Sequence, residues 1–247
     1  MRFTLDGKDA EYGGPPETSL LRWLRDEAGV TTAKDGCSPQ AACGCCTVEL
    51  SGKAVLSCVT KMSQVEGKEV VTTAGIGPLA AEAFTESFAR HGGAQCGFCV
   101  PGIVMRAWNL FKGRPEPTRE EIERGLSQHL CRCTGYKKIV TSLSEAAKSL
   151  RAGKVPPPAP QSGRVGTRLP KYDIKDAVLG NRPYVADMKV PGMLHAALRL
   201  SDHPRAKVIK VDVVAAAALP GVRRVLVAGD VPGRRLQGSI IQDWPRL

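Results

Sequence analysis

Hydrophobic and polar positions change period twice along this chain of 247 residues. Over residues 1–75 the pattern is short and mostly alternating, as half-buried strands require. Arg2–Leu5, a Gly7-Lys8 turn and residues 10–12 predict a hairpin, and Thr47–Leu50 with residues 54–56 around Ser51-Gly52-Lys53 predict a second. Between them, Thr18 or Ser19 is placed to cap a helix through Leu20, Leu21 and Leu24 that ends at Gly29. Residues 68–73 supply one more strand. These elements allow a small mixed sheet with one helix packed across it.

From Leu79 the period becomes helical. Residues 79–90 are Ala-rich and amphipathic, and His91-Gly92-Gly93 stops them. Pro101 stands near the first turn of a helix through Ile103, Met105, Ala107 and Leu110. Thr118-Arg119-Glu120-Glu121 is a capping box that opens a third helix, and residues 138–150 form a fourth. Short connections predict a compact four-helix bundle. Val155-Pro156-Pro157-Pro158-Ala159-Pro160 then reads as a stiff extended linker. Beyond it, residues 196–200, 208–213 and 224–227 read as strands. The predicted class is α+β, with modules at 1–75 and 76–152, a linker at 153–170 and a further domain over 171–247.

Composition changes this picture in two places. Hydrophobic residues make up 43% of the chain, yet no stretch approaches the ~20 apolar residues of a membrane span. Met1 to Gly7 has no apolar region behind its basic residue, so it is no signal peptide, and a cytoplasmic location is expected. The net charge of +11 suggests nucleic acid only until it is divided. Residues 1–150 hold 18 Lys+Arg against 17 Asp+Glu, and residues 151–247 hold 17 against 7. The excess lies at Arg164, Arg168, Lys171, Lys207, Lys210, Arg223, Arg224, Arg234 and Arg235, without the interleaved aromatics of a stacking platform. An acidic protein partner or the face of an incomplete domain is expected, not nucleic acid.

The chemistry lies in the nine cysteines. Eight form two sets, Cys37-x5-Cys43-x2-Cys46-x11-Cys58 and Cys96-x2-Cys99-x31-Cys131-x-Cys133. A tight loop supplying three thiolates, with a fourth from further along, is the plant-type [2Fe–2S] arrangement. An odd count in a chain of this length without a signal peptide argues against a disulfide scaffold. Zinc is the stronger rival, since two close pairs can make a tetrahedral thiolate site, but the first spacing matches no common zinc knuckle. Both pairs of the second set also precede predicted helix starts, where N–H groups and the helix dipole suit an anionic cluster. His195 and His203 stand isolated at strand and turn positions and read as structural.

Gln95-Cys96-Gly97-Phe98-Cys99-Val100-Pro101-Gly102 with Cys131-Arg132-Cys133-Thr134-Gly135-Tyr136 resembles the second iron–sulfur domain of the xanthine dehydrogenase/aldehyde oxidase family of molybdenum hydroxylases. Cys43-Gly44-Cys45-Cys46-Thr47-Val48 and Cys58 are similar to that family's N-terminal domain. The resemblance implies a β-grasp ferredoxin-like [2Fe–2S] domain, then a four-helix-bundle [2Fe–2S] domain. It makes Cys37, Cys43, Cys46 and Cys58 the ligands of one cluster and Cys96, Cys99, Cys131 and Cys133 those of the other. It also implies that Gln95 hydrogen-bonds the molybdopterin cofactor and that Cys133 lies on the cofactor side of its cluster. Cys45, where the family often has a small residue, reads as a bystander. The first loop departs from the family's x4 spacing: Ser38-Pro39-Gln40-Ala41-Ala42 is one residue longer and lacks glycine, so a different path is expected.

Arg182-Pro183-Tyr184-Val185-Ala186-Asp187, Pro191-Gly192-Met193-Leu194-His195, the 201–206 stretch and the segment from Leu219-Pro220-Gly221-Val222 to Val231-Pro232 resemble the opening of the family's α/β hammerhead domain. The chain stops at Leu247, before such a domain closes its sheet. The missing strands are therefore expected from the rest of a longer polypeptide or from a molybdenum-binding subunit. The resemblance implies an electron-transfer component of a molybdenum hydroxylase, of xanthine dehydrogenase type. In that family a carbon is hydroxylated at molybdenum with oxygen from water, and electrons leave singly to FAD on a partner or to another acceptor. Aldehyde, nicotinate and carbon monoxide oxidising members are the alternatives within the family. A free-standing ferredoxin-like carrier and a zinc-bound interaction module are the alternatives outside it.

Overall fold

The computed structural model describes residues 1–159, 161–167 and 169–245. Pro160 of the linker, Arg168 of the basic stretch, Arg246 and Leu247 lie outside the described residues. Two compact units are present, Met1–Pro191 and Gly192–Leu247.

The alternating pattern near the N-terminus forms the expected hairpins. β1 (Arg2–Leu5) pairs antiparallel with β2 (Lys8–Glu11) across an Asp6-Gly7 turn. Further along, β3 (Thr47–Leu50) pairs with β4 (Lys53–Leu56) across Ser51-Gly52. β5 (Glu69–Val71) joins them, parallel to β1 and antiparallel to β3, giving the order β2-β1-β5-β3-β4. The connections that bring β5 back beside β1 carry α1 (Leu20–Asp26), whose first turn is capped by Ser19: its Oγ accepts from Arg22 N at 3.3 Å. The helix ends at Asp26, one turn before the expected Gly29. It buries Leu20, Leu21, Trp23 and Leu24 against Phe3, Val48, Met62 and Val70. Each such side chain contributes about 1.5–3 kcal/mol by leaving water.

The helical module follows its caps closely. α2 (Pro78–His91), α3 (Val100–Gly113), α4 (Arg119–Gly125) and α5 (Tyr136–Ala152) are joined by short loops. Both arms of the Thr118 capping box form: Glu121 N donates to Thr118 Oγ1 at 3.2 Å, and Thr118 N donates to Glu121 Oε2 at 2.8 Å. Phe84, Phe88, Ile103, Val104, Met105, Ile122, Ile139 and Leu143 fill the core. The sheet and the bundle are joined by a buried carboxylate. Glu49 on β3 accepts from Asn109 Nδ2 at 2.7 Å and Lys112 Nζ at 2.8 Å, both on α3.

The C-terminal part differs from expectation. Residues 171–191, read as the start of a separate domain, belong to the first unit. Here α6 (Ile174–Leu179), which the sequence pattern did not predict, buries Ile174, Ala177 and Val178 against α2 and α3. In the second unit, residues 196–200, 208–213 and 224–227 form no strands. A strand is defined by ladder partners for its N–H and C=O groups, and among the described residues these segments have none. Leu194, Leu198, Leu200, Val208, Ile209 and Val211 are all exposed. That unit holds α7 (Val214–Ala217) and a two-residue pairing of β6 (Leu236–Gln237) with β7 (Trp244–Pro245).

Candidate metal centres

The first cysteine set lies in the loop between α1 and β3, with Cys58 just beyond β4. Among its thiols Cys37 faces Cys43, which also meets Cys45, and Cys46 faces Cys58. The loop manages its path without glycine by placing Ser38 at φ 42° and Ala41 at φ 54°. Left-handed backbone costs an L-residue about 1–2 kcal/mol. Asp35 holds the turn, accepting from Ser38 N at 2.9 Å and Ser38 Oγ at 3.3 Å. The result turns the backbone N–H groups of Gln40, Ala42 and Cys43 to the Cys37 sulfur, and these bring its thiol below the ordinary value although burial opposes them. Burial raises the Cys46 thiol to about 12.

The Cys45 thiol lies beside that of Cys43, on the bundle side of the loop. Cys46 and Cys58 pack with the core of the sheet module, whereas Cys43 and Cys45 pack with the core of the bundle. The Cys45 thiol donates weakly to Cys43 O, 3.8 Å away, and burial pushes its pKa far up.

In the second set each pair takes one thiol from each segment. Cys96 and Cys133 are exposed, with their sulfurs 3.4 Å apart, and buried Cys99 faces half-buried Cys131. Cys99 is the N-cap of α3, and the Cys131–Cys133 turn runs into α5. Burial opposes ionisation of Cys133, but hydrogen bonds from the Cys96 backbone and from Thr134 outweigh it and bring the thiol down to about 7. Gln95 is exposed beside this pair, its backbone N donating to Thr134 Oγ1 at 2.9 Å. Tyr136 ties the loop, donating to His129 O at 2.7 Å and accepting from Cys131 N at 3.1 Å.

The two sets adjoin. Cys131 is two residues past buried His129, whose Nε2 lies 3.2 Å from Thr47 Oγ1 at the start of β3. Leu130 N donates to Cys43 O at 3.0 Å. Burial, helped by Arg106, holds His129 down at about 4, so the ring is neutral at pH 7. Two glycines permit this contact. A Cβ at Gly44 would meet His129 Cδ2 at 2.6 Å, and one at Gly102 would meet Gly44 O at 2.3 Å. Sequence reading missed His129, because a lone histidine before a cysteine motif carries no spacing signal.

This donor chemistry fits binuclear clusters. Each place offers four thiols as two facing pairs, and a [2Fe–2S] cluster asks two thiolates of each iron. Among the described residues, no three Cys, His, Asp or Glu side chains converge as they would on one ion.

The comparisons with known proteins decide the family. Residues 72–144 match the [2Fe-2S] binding domain family, and residues 179–245 match the aldehyde oxidase and xanthine dehydrogenase a/b hammerhead domain. A probable xanthine dehydrogenase subunit of Bacillus subtilis is 34% identical over 154 residues, covering 62% of this chain and 88% of that protein. The chain belongs to the molybdenum hydroxylase family, as its iron–sulfur part.

Within this family of oxidoreductases, the aldehyde oxidoreductase of Megalodesulfovibrio gigas is 36% identical over 252 residues, covering 96% of the chain. The chain spans 28% of that relative's length. The crystal structure of the aldehyde oxidoreductase from Desulfovibrio desulfuricans superposes with a TM-score of 0.84 at 33% identity, over 95% of this chain and 27% of that one. The similar molybdenum hydroxylases bear the names of different substrates, so the expected xanthine type is not singled out. No helix among the described residues is long and apolar enough to cross a membrane.

Proposed function

We propose that this chain carries electrons out of a molybdenum centre through two [2Fe–2S] clusters, one held by Cys37, Cys43, Cys46 and Cys58 and the other by Cys96, Cys99, Cys131 and Cys133. The facing thiol pairs at two adjoining places carry this reading. Each cluster, when bound, stores one electron at a time. The chain's own residues bring the two sites side by side: Cys43 and Cys45 pack in the bundle core that holds Cys99, and Gly102 approaches Gly44 too closely for any side chain.

Exposed Cys96, Cys133 and Gln95 form the face for the molybdopterin side, with the Gln95 side-chain amide free to meet the pterin. The sheet module is read as a β-grasp ferredoxin and the second unit as part of a hammerhead domain. Its unpaired segments would be completed by a molybdenum-binding chain or by more of the same polypeptide. The acceptor is FAD on a partner or another carrier, and the compartment is cytoplasmic. For the substrate, the xanthine dehydrogenase type stands beside an aldehyde-oxidising type, which the similarity across 96% of the chain favours. Metal analysis of the complex purified from its host tests this. About four irons per chain with about one molybdenum are expected, whereas zinc in their place would end the proposal.

A further inference from the structure

One feature of the second thiol set lies outside both cysteine-bearing modules. The carbonyl of Cys96 accepts two hydrogen bonds, from Tyr184 OH at 2.5 Å and from Arg182 Nη1 at 3.2 Å. Both donors come from residues 182–187, a strap that crosses the unit nearly ninety positions later in sequence. The loop after Cys96 lies flush against it. A Cβ at Gly97 would meet Ala177 Cβ at 2.7 Å and Tyr184 OH at 3.1 Å, and the Phe98 ring stands edge-on to Tyr184 with centroids 5.0 Å apart.

The strap is fastened independently of the cysteines. Asp187 accepts from Arg25 Nη2 at 2.7 Å and from fully buried Lys34 Nζ at 2.8 Å. Arg182 Nε pairs with Asp173 Oδ2 at 3.1 Å, and Thr73 Oγ1 donates to Leu179 O at 2.6 Å. The Arg182 guanidinium also lies over the Tyr184 ring, 5.4 Å from its centroid. Two donors, one of them a cation, are thus aimed at the backbone of one thiol-bearing residue.

We infer that Arg182 and Tyr184 are positioning residues of the second cluster, fixing the Cys96 loop and raising that cluster's reduction potential without ligating it. The inference rests on Cys96 being a ligand. The physical cause is charge and hydrogen bonding beside the cluster, two of the levers that set such potentials. A reduced cluster carries one more negative charge than an oxidised one. A nearby guanidinium therefore favours the reduced form, and donors to the Cys96 carbonyl hold its peptide in one orientation.

The test is a redox titration followed by EPR on the intact protein and on two variants, Arg182→Met and Tyr184→Phe. The signal that Cys133→Ser abolishes is assigned to the second cluster. Tyr184→Phe keeps the ring packed on Phe98, so it preserves the fold even where Arg182→Met loosens the strap. Both variants are expected to keep their full iron content, to lower the second midpoint potential and to leave the first unchanged. An unmoved second midpoint in both variants, or an equal shift of both clusters, overturns the inference. If the unaltered protein shows no second cluster signal, the ligand assignment fails instead, and the two failures are distinguishable.

Discussion

At the scale of single residues, adjacent cysteines enter different cores because the backbone turns between them. Cys46 faces Cys58 in the sheet module, while Cys45 lies on the bundle side beside Cys43, and burial raises both thiols. Cys46→Ser is therefore expected to remove one cluster signal, whereas Cys45→Ala retains both; loss of a cluster in Cys45→Ala would exchange their roles. Ala41 holds φ 54°. Glycine there removes a penalty of about 1–2 kcal/mol but adds the entropy of a more flexible unfolded chain, about 0.5–1 kcal/mol. Ala41→Gly should stabilise the loop by a net of about 0.5–1 kcal/mol, read from chemical denaturation; a destabilised protein would contradict the loop geometry.

Asp187 offers a residue-scale prediction with a pH sign. It accepts from two cations and the Tyr184 N–H, and these outweigh its burial and hold its carboxyl below the ordinary 3.8. Lys34 meets a single carboxylate, so burial dominates and its amine is lowered. A carboxyl depressed in the folded state stabilises fully above its unfolded value, and the contribution is lost as pH falls through the folded value. Asp187→Ala should cost about 3 kcal/mol at pH 7, the low end for breaking a buried pair. The difference from the parent should shrink below about pH 4, where an unfolded carboxyl protonates. A penalty that persists unchanged in acid would mean packing, not charge, is lost.

At the scale of elements, the close approach of α3 to the first cysteine loop joins the two modules. Gly102 sits in the first turn of α3, where a Cβ would meet Gly44 O at 2.3 Å and the Cys45 backbone at 3.0 Å. Neither neighbour is a flexible side-chain tip. Gly102→Ala should destabilise by about 1–3 kcal/mol, as overpacking does, and should broaden the first cluster's EPR signal by displacing Cys43. A variant with parent stability and an unchanged spectrum would show that the joint is slack.

Elements with local signals were legible from sequence. Both hairpins, the Ser19 cap and the Thr118 capping box formed, although the first turn is Asp6-Gly7 and not Gly7-Lys8, and Lys53 of the second expected turn opens β4. Helix α6 was not legible, because six residues behind a proline-rich stretch carry too little periodicity, and its stability comes from packing on α2 and α3. The segments at 196–200, 208–213 and 224–227 are rich in apolar and β-branched residues, yet such a run reports surface to be buried and cannot supply the strand that pairs with it.

At the scale of the whole molecule, cysteine spacing revealed two sets of four but not which thiols face each other. The pairing of Cys96 with Cys133 brings together residues 37 positions apart, and it follows from the ends of two helices meeting in one bundle. His129 and the strap at 182–187 were invisible for the same reason: their partners are Thr47, Cys96, Arg25 and Lys34, all distant in sequence. Residues 171–191, which resemble the opening of the next domain, thus pack within the first compact unit. The two candidate centres adjoin across the bundle core, which takes Cys43 from one and Cys99 from the other, and the more exposed thiol pair, Cys96 and Cys133, lies at the second.

The most direct measurement is a spin count by EPR on the dithionite-reduced protein. Two [2Fe–2S] clusters predict about two unpaired spins per chain in two rhombic signals, with magnetic interaction between them because the sites adjoin. One signal with a single spin, or a colourless protein with none, would contradict the two-cluster conduit.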